Sequence, residues 1–118
     1  MKNNAISEIE YKDRKYELAF NINVIELLQE KYGSFDKWID LIQPKEKNKE
    51  ADIKALIYAF TEALNEGIDI KNEENGTDIK PLTSKQVGRI ITEIGIGTAN
   101  SKLQEVVIAS TKDDEQKN

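Results

Sequence analysis

Residues 9–33 read IEYKDRKYELAFNINVIELLQEKYG, and the spacing of their apolar side chains changes once along this stretch. Up to residue 20 the apolar residues recur at every second position on either side of the charged cluster at residues 12–15, which predicts a β-hairpin. The alternating residues are Ile9, Tyr11, Tyr16, Leu18 and Phe20. One face of this hairpin should be apolar and the other wet, with Glu17 and Asn21 facing away from the core.

From Asn23 the spacing becomes that of a helix. Asn23 is the expected N-cap of a helix that runs from Val24 to Tyr32, and Gly33 is the expected left-handed stop. Ser34 should cap a second, short helix that buries Trp38 and ends before Pro44. A charged linker then covers residues 44–50.

Three further helices are predicted in the remainder of the chain. The stripe Ile53, Leu56, Ile57, Phe60 and Leu64 predicts a central helix that ends at Gly67, followed by a long polar loop over residues 68–82. Thr83 and Gln86 form a capping-box pair at the start of the next helix, which the break at residues 95–97 ends. A last helix is expected over about residues 98–110.

The predicted fold class is therefore α+β and mostly α, with an N-terminal β-hairpin followed by about five helices. Residues 1–111 should form a single domain, and residues 112–118 should form a flexible polar tail.

Composition excludes several classes of chemistry. The chain has 118 residues, a formal net charge of −5, and neither His nor Cys. Because these two residue types supply most zinc ligands, most neutral-pH general bases and all thiol nucleophiles, zinc folds, disulfide scaffolds and Ser-His-Asp or cysteine hydrolases are excluded. No cofactor and no metal are expected.

Charge and hydropathy bear on partners and compartment. Lysines are interleaved with carboxylates, so there is no basic track for nucleic acid or an anionic membrane. The chain opens with MKNN, without an apolar signal region, and no apolar run approaches the roughly 20 residues of a membrane span. We expect a soluble protein of the cytoplasm.

Motifs for bound ions and nucleotides fail at defined positions. An EF-hand loop with Gly76 sixth would put Lys71 and Leu82 where carboxylates are required. Gly95 and Gly97 follow a helix rather than a strand, unlike a dinucleotide fingerprint, and there is no P-loop sequence. The helical carboxylates fall on polar faces, as solvated charges do. No catalytic residue is predicted.

Some apolar residues lie off the main stripe of their helices, and these are the candidate partner-binding residues: Leu41, Tyr58 and Ile108. Apolar residues on a second helix face are often buried against a partner. For Tyr58 a second interpretation stays open, in which its helix is sandwiched between two neighbours in its own core. Trp38 shares a stripe with Phe35 and Ile39 and is expected in the core.

The segments YELAFNIN (16–23), VIELL (24–28) and KYGSF (31–35) resemble, in this order, the N-terminal half of tail assembly chaperones from long-tailed bacteriophages and prophages. Those proteins begin with a short hairpin, continue directly into a helix that ends at a Gly-Ser-like corner, and are small, acidic and helical. The resemblance covers roughly residues 5–110. The polar loop around residues 72–80 departs from the pattern.

The resemblance implies a non-enzymatic assembly factor in the host cytoplasm, absent from the finished virion. Its partner would be the tape measure protein, a long, aggregation-prone helical chain that it keeps soluble while the tail tube assembles. The tail tube protein is a second candidate partner, and self-association is a further expectation. This chain would be the short form of the chaperone.

Two other functions compete with this one. A small acidic phage or prophage regulator could bind and inhibit a host protein; it would mass its carboxylates on one face, whereas here they are spread over all helices. An enzyme that acts through carboxylates alone would need a cleft with two buried acids.

Overall fold

The computed structural model describes the backbone of residues 5–116 and the side chains of residues 5–111. Within these residues an antiparallel two-stranded hairpin is followed by five helices, which confirms the predicted fold class. The elements are β1 (Ala5–Tyr11), β2 (Arg14–Phe20), α1 (Ile22–Tyr32), α2 (Phe35–Ile42), α3 (Ile53–Asn75), α4 (Ser84–Ile94) and α5 (Ile96–Gln116).

The hairpin is closed by a two-residue turn at Lys12 and Asp13. Both residues have positive φ angles, 49° and 64°, as in the turns whose twist matches that of paired strands. Tyr11 therefore pairs with Arg14, and the register continues along the strands to Ala5 and Phe20. The predicted hairpin is confirmed.

The prediction that one face of the hairpin is exposed to solvent is wrong for the second half of β2. Leu18, Ala19 and Phe20 are all completely buried, and Asn21 is only 7% exposed. Successive side chains of a strand point to opposite faces, so both faces of β2 are covered here. The cause is tertiary, since α3 packs along β2 while α5 packs against both strands.

The N-cap of α1 is Asn21, and the predicted Asn23 cap is wrong. Asn21 has the extended backbone of a cap, and its side-chain oxygen accepts hydrogen bonds from the backbone N–H of Asn23 (3.1 Å) and Val24 (3.4 Å). Its amide group donates to Glu66 Oε2 at 2.7 Å, which ties this cap to α3. Gly33 ends α1 as predicted and has a positive φ of 91°, but its ψ of −34° lies outside the left-handed helical region that was expected.

Ser34 caps α2 as predicted, and its hydroxyl accepts from the backbone N–H of Lys37 at 3.1 Å. α2 ends at Ile42, before Pro44. Trp38 is fully buried, its ring centroid lies 6.2 Å from that of Phe20, and its indole N–H donates to the Ala55 carbonyl at 3.2 Å. The prediction that Trp38 is a core residue is confirmed.

α3 is longer than predicted, because Gly67 does not end it. The helix runs to Asn75 and stops at Gly76, which has left-handed φ and ψ angles of 64° and 32°. Gly67 is buried inside the helix, where a Cβ would lie 3.1 Å from the Glu17 carbonyl carbon and closer still to its oxygen. The glycine is there for close packing on β2, so residues 68–75 of the predicted loop are helical.

α4 and α5 follow the predicted order with different bounds for α5. The capping box of Thr83 and Gln86 is present, and Gly95, with φ +95°, ends α4. α5 begins at Ile96 instead of residue 98 and continues beyond residue 110 to Gln116, so the first part of the predicted tail is helical. Residues 117 and 118, which complete that tail, lie outside the described residues, and its flexibility stays a prediction.

Candidate protein-binding surfaces

Ile108 is the most exposed of the three sequence-predicted binding residues. It lies on the outer face of α5 with 59% of its surface accessible. Ile108 follows Gln104 by one helical turn, and the Gln104 side chain accepts a hydrogen bond from that of Gln43 at 2.6 Å, just beyond α2. This part of α5 therefore lies next to the end of α2.

Tyr58 is partly buried against α1. Its ring meets that of Tyr32 edge to face, with centroids 6.0 Å apart, and the Lys31 Nζ lies 4.7 Å from the ring centroid. Burial, assisted by the nearby carboxylates of Glu62 and Glu30, raises the pKa of the Tyr58 hydroxyl. These contacts within the chain agree with the second interpretation of Tyr58, a helix held between neighbours in its own core.

Leu41 is also partly buried and packs against the core, while its carbonyl accepts from the backbone N–H of Asp52 at 2.8 Å. Among the described residues, no hydrogen bond or ring contact joins any two of Leu41, Tyr58 and Ile108. The three residues stand on three different helices, and their role in binding stays a prediction.

A more continuous apolar surface is present where the start of α3, the middle of α4 and the start of α5 meet. It is a groove of about 340 Å³, which we call the isoleucine groove. Ile53 and Ile96 are 44% and 51% exposed at its edges, and Ile91 lies buried beneath. The lining residues are Ile53, Ile57, Gly88, Ile91, Thr92 and Ile96.

Two residues of α4 keep the isoleucine groove open and apolar. Gly88 has no side chain, and a Cβ placed on it would meet nothing within 4 Å. The Thr92 hydroxyl donates to the Gly88 carbonyl at 2.8 Å, so its hydrogen-bonding capacity is used within the helix. Glycine in a helix interior lowers helix stability by about 1 kcal/mol relative to alanine. Since an alanine would fit at position 88, packing within the chain does not explain the glycine, and an open groove does.

Sequence reasoning missed this groove. Ile53 appeared only as one member of a core stripe, and Ile96 as part of a break between helices. Their proximity depends on the turn at Gly95, which lets α5 begin at Ile96 itself. Single exposed isoleucines are common on protein surfaces, but two at the edges of one groove are informative.

Membrane-spanning helices and metal clusters are both absent from the part of the chain that the structure describes. Residues 5–116 contain no helix with the length and apolar character required to cross a membrane. The described side chains, those of residues 5–111, bring together no group of three or more carboxylates that could hold a metal ion.

Comparisons of the chain with protein-family models, with curated proteins and with solved structures gave no match.

Proposed function

We propose that this protein is a non-enzymatic tail assembly chaperone of a long-tailed phage or prophage, which binds the tape measure protein in the host cytoplasm and keeps it soluble. The resemblance of residues 5–110 motivates the proposal. The hairpin that runs directly into α1 and the Gly33-Ser34 corner before α2 have the expected order. The isoleucine groove is the observation that supports the proposal most directly. A chaperone that binds an aggregation-prone helical chain needs an apolar contact surface on a charged domain.

The groove suits the apolar face of an amphipathic helix, whose side chains at i, i+3, i+4 and i+7 insert into such surfaces. Fully burying an isoleucine side chain is worth roughly 1.5–3 kcal/mol, so the half-exposed Ile53 and Ile96 offer about 1 kcal/mol each. Binding of one copy would be weak and reversible. Many copies along a long helical client would cover it and still be displaced by tail tube subunits.

Co-expression with a fragment of the tape measure protein from the same tail gene cluster tests the proposal. We expect the wild-type chain to increase the soluble fraction of the fragment and to co-purify with it. The double substitution Ile53→Glu and Ile96→Glu should abolish both effects while the circular dichroism spectrum stays unchanged. Ile6→Glu with Ile22→Glu is the matched control, since Ile6 and Ile22 are 48% and 67% exposed and lie outside the groove.

Two results would contradict this proposal. If the wild-type chain leaves the fragment insoluble, the chaperone function is wrong. If the fragment is solubilised equally by the double variant, the groove is not the surface that binds it. Separate variants at Leu41, Tyr58 and Ile108 then test the residues predicted from the sequence, with Ile108→Glu first because this residue is exposed.

A further inference from the structure

The connection between α3 and α4 is held in place by two asparagines of α3. The carboxamide of Asn72 donates to the Ile79 carbonyl and accepts from the Ile79 N–H, both at 3.0 Å. Two helical turns earlier, the carboxamide of Asn65 makes the same pair of bonds with Leu82, at 3.0 and 2.7 Å. The segment at residues 76–83 therefore runs back along α3 and is fixed at two points.

This arrangement presents Ile79 to solvent over a cleft. Ile79 is 55% exposed although its backbone is held by both bonds from Asn72. Beneath it, Tyr16 of β2 and Ile68 of α3 are partly buried and complete an apolar lining. The cleft has a volume of about 260 Å³, slightly below the range of about 300–1,000 Å³ that is usual for small-molecule sites.

The same cleft is rimmed by positive charge. Arg14, Lys15 and Lys71 line it, and the single carboxylate in the lining, Glu17, lies 3.8 Å from the Lys71 Nζ. On a chain with a net charge of −5, this is a local reversal of sign. We call this site, with its apolar lining of Tyr16, Ile68 and Ile79, the cationic cleft.

We infer that the cationic cleft binds an acidic peptide segment, taking one or two apolar side chains on Tyr16, Ile68 and Ile79 while the flanking carboxylates of the peptide meet Arg14, Lys15 and Lys71. The apolar lining favours a peptide over a bare phosphate chain, which would leave Ile79 exposed. The fixed connection matters energetically, because a preformed site does not have to be ordered on binding.

The cationic cleft is separate from the isoleucine groove. Ile57 and Ile68 lie eleven residues apart on α3, which corresponds to roughly 16 Å along a helix axis. The two surfaces also differ in charge, so the peptide site goes beyond the proposed chaperone function and can be tested without a tape measure protein.

The experiment uses the full chain and a pool of capped heptapeptides, each with two central positions that vary over apolar residues and with Glu or Asp at the others. Backbone amide shifts in NMR spectra locate binding, and isothermal titration of the strongest peptide measures its affinity. We expect shifts at residues 14–17, 68–71 and 79, and weaker binding when salt is raised from 50 to 500 mM. The same peptide with Gln in place of each acid should bind at least tenfold more weakly.

Two variants test the two halves of the site. Arg14→Glu should weaken binding of the peptide about threefold to tenfold. Arg14 pairs across the hairpin with Tyr11, so the substitution creates no like-charge pair between the strands. Asn72→Ala releases the backbone of Ile79 and should weaken binding by a similar factor. Lys47→Glu, an equal charge change in the exposed segment before α3, should leave affinity within twofold.

Ile79→Ser provides an independent variant if Arg14→Glu fails to fold, because Ile79 is exposed and outside the core. It should lower affinity for the acidic peptide without changing the spectrum of the free protein. The inference is overturned if no peptide of the pool binds at 1 mM, if the shifts fall elsewhere, or if the Gln peptide binds equally. Tighter binding of a ten-nucleotide single-stranded DNA than of any peptide would also overturn it, in favour of a phosphate site.

Discussion

Gly67→Ala should destabilise the protein, although the same exchange in an ordinary helix stabilises it. Alanine at a compatible helical position gains about 0.5–1 kcal/mol over glycine. At position 67 the new Cβ would lie 3.1 Å from the Glu17 carbonyl carbon and well inside van der Waals contact with its oxygen. The Glu17 carbonyl group belongs to the backbone of β2 and the new Cβ is fixed to the backbone of α3, so neither can rotate away. The clash can be relieved only if α3 moves away from β2.

The size of the effect follows from these two opposing terms. Overpacking in a buried site costs about 1–3 kcal/mol, and a clash with backbone belongs at the upper end. After the helical gain, we expect a net loss of about 2 kcal/mol in the free energy of unfolding. For a chain of this length each kcal/mol corresponds to roughly 4 °C, so the melting temperature should fall by about 8 °C.

Urea unfolding followed by Trp38 fluorescence measures this loss, since the only tryptophan is fully buried in the native state. Gly88→Ala is the matched control, because a Cβ there meets nothing within 4 Å, and it should stabilise by about 0.5–1 kcal/mol. Gly97→Ala, also in open space, gives a second control. If Gly67→Ala is as stable as the wild type, α3 does not approach β2 as closely as the structure indicates.

Three further predictions concern the cap of α1, the buried Trp38 and the Glu62 carboxyl. Asn21→Ala should lower the free energy of unfolding, measured in urea, by about 1–2 kcal/mol, and Asn23→Ala, which removes no cap, should lower it clearly less. Equal losses for the two variants would contradict the assignment of Asn21 as the cap. Trp38→Phe should cost about 3 kcal/mol by circular dichroism, because it removes buried ring atoms and the hydrogen bond from the indole N–H to the Ala55 carbonyl; a loss below 1 kcal/mol would contradict this. Burial raises the pKa of Glu62, so its proton is held more tightly in the folded chain and stability falls as pH rises through that pKa. Glu62→Gln should thus stabilise the chain at pH 7 but not below the ordinary carboxyl pKa of about 4.5, and a pH-independent difference would refute the cause.

Local signals in the sequence were sufficient for much of the fold. Gly33, Ser34 and the Thr83–Gln86 pair act within one turn of their own position, so no tertiary knowledge was needed to place them. The errors fall where tertiary contacts override local rules. Asn21 rather than Asn23 caps α1, at a point where the side chains of both asparagines donate to Glu66 of α3. At position 67, a distant strand requires the glycine.

The candidate surfaces were less accessible to sequence reasoning for a related reason. Angular position on a single helix selected Leu41 and Tyr58, but their neighbours on other helices partly cover both. The isoleucine groove needs three helices, and the cationic cleft needs a strand, a helix and a connection. Such sites have no contiguous pattern, so periodicity cannot reveal them before the packing is known.

Residues 68–83 contribute little to the core, and three of them, Ile68, Lys71 and Ile79, line the cationic cleft together with residues of β2. None of residues 68–83 is fully buried, yet α3 continues through the first half of this range and the connection after it is fixed by Asn65 and Asn72. Ordering a residue costs roughly 1–2 kcal/mol of backbone entropy, and little apolar burial offsets it here. A shorter helix ending near Gly67 would suffice for the core, so the extension is best explained by the surface it builds. Lys71 and Ile68 reach that surface only because Gly67 lets α3 lie against β2, which makes the same glycine a condition for both the fold and the cleft.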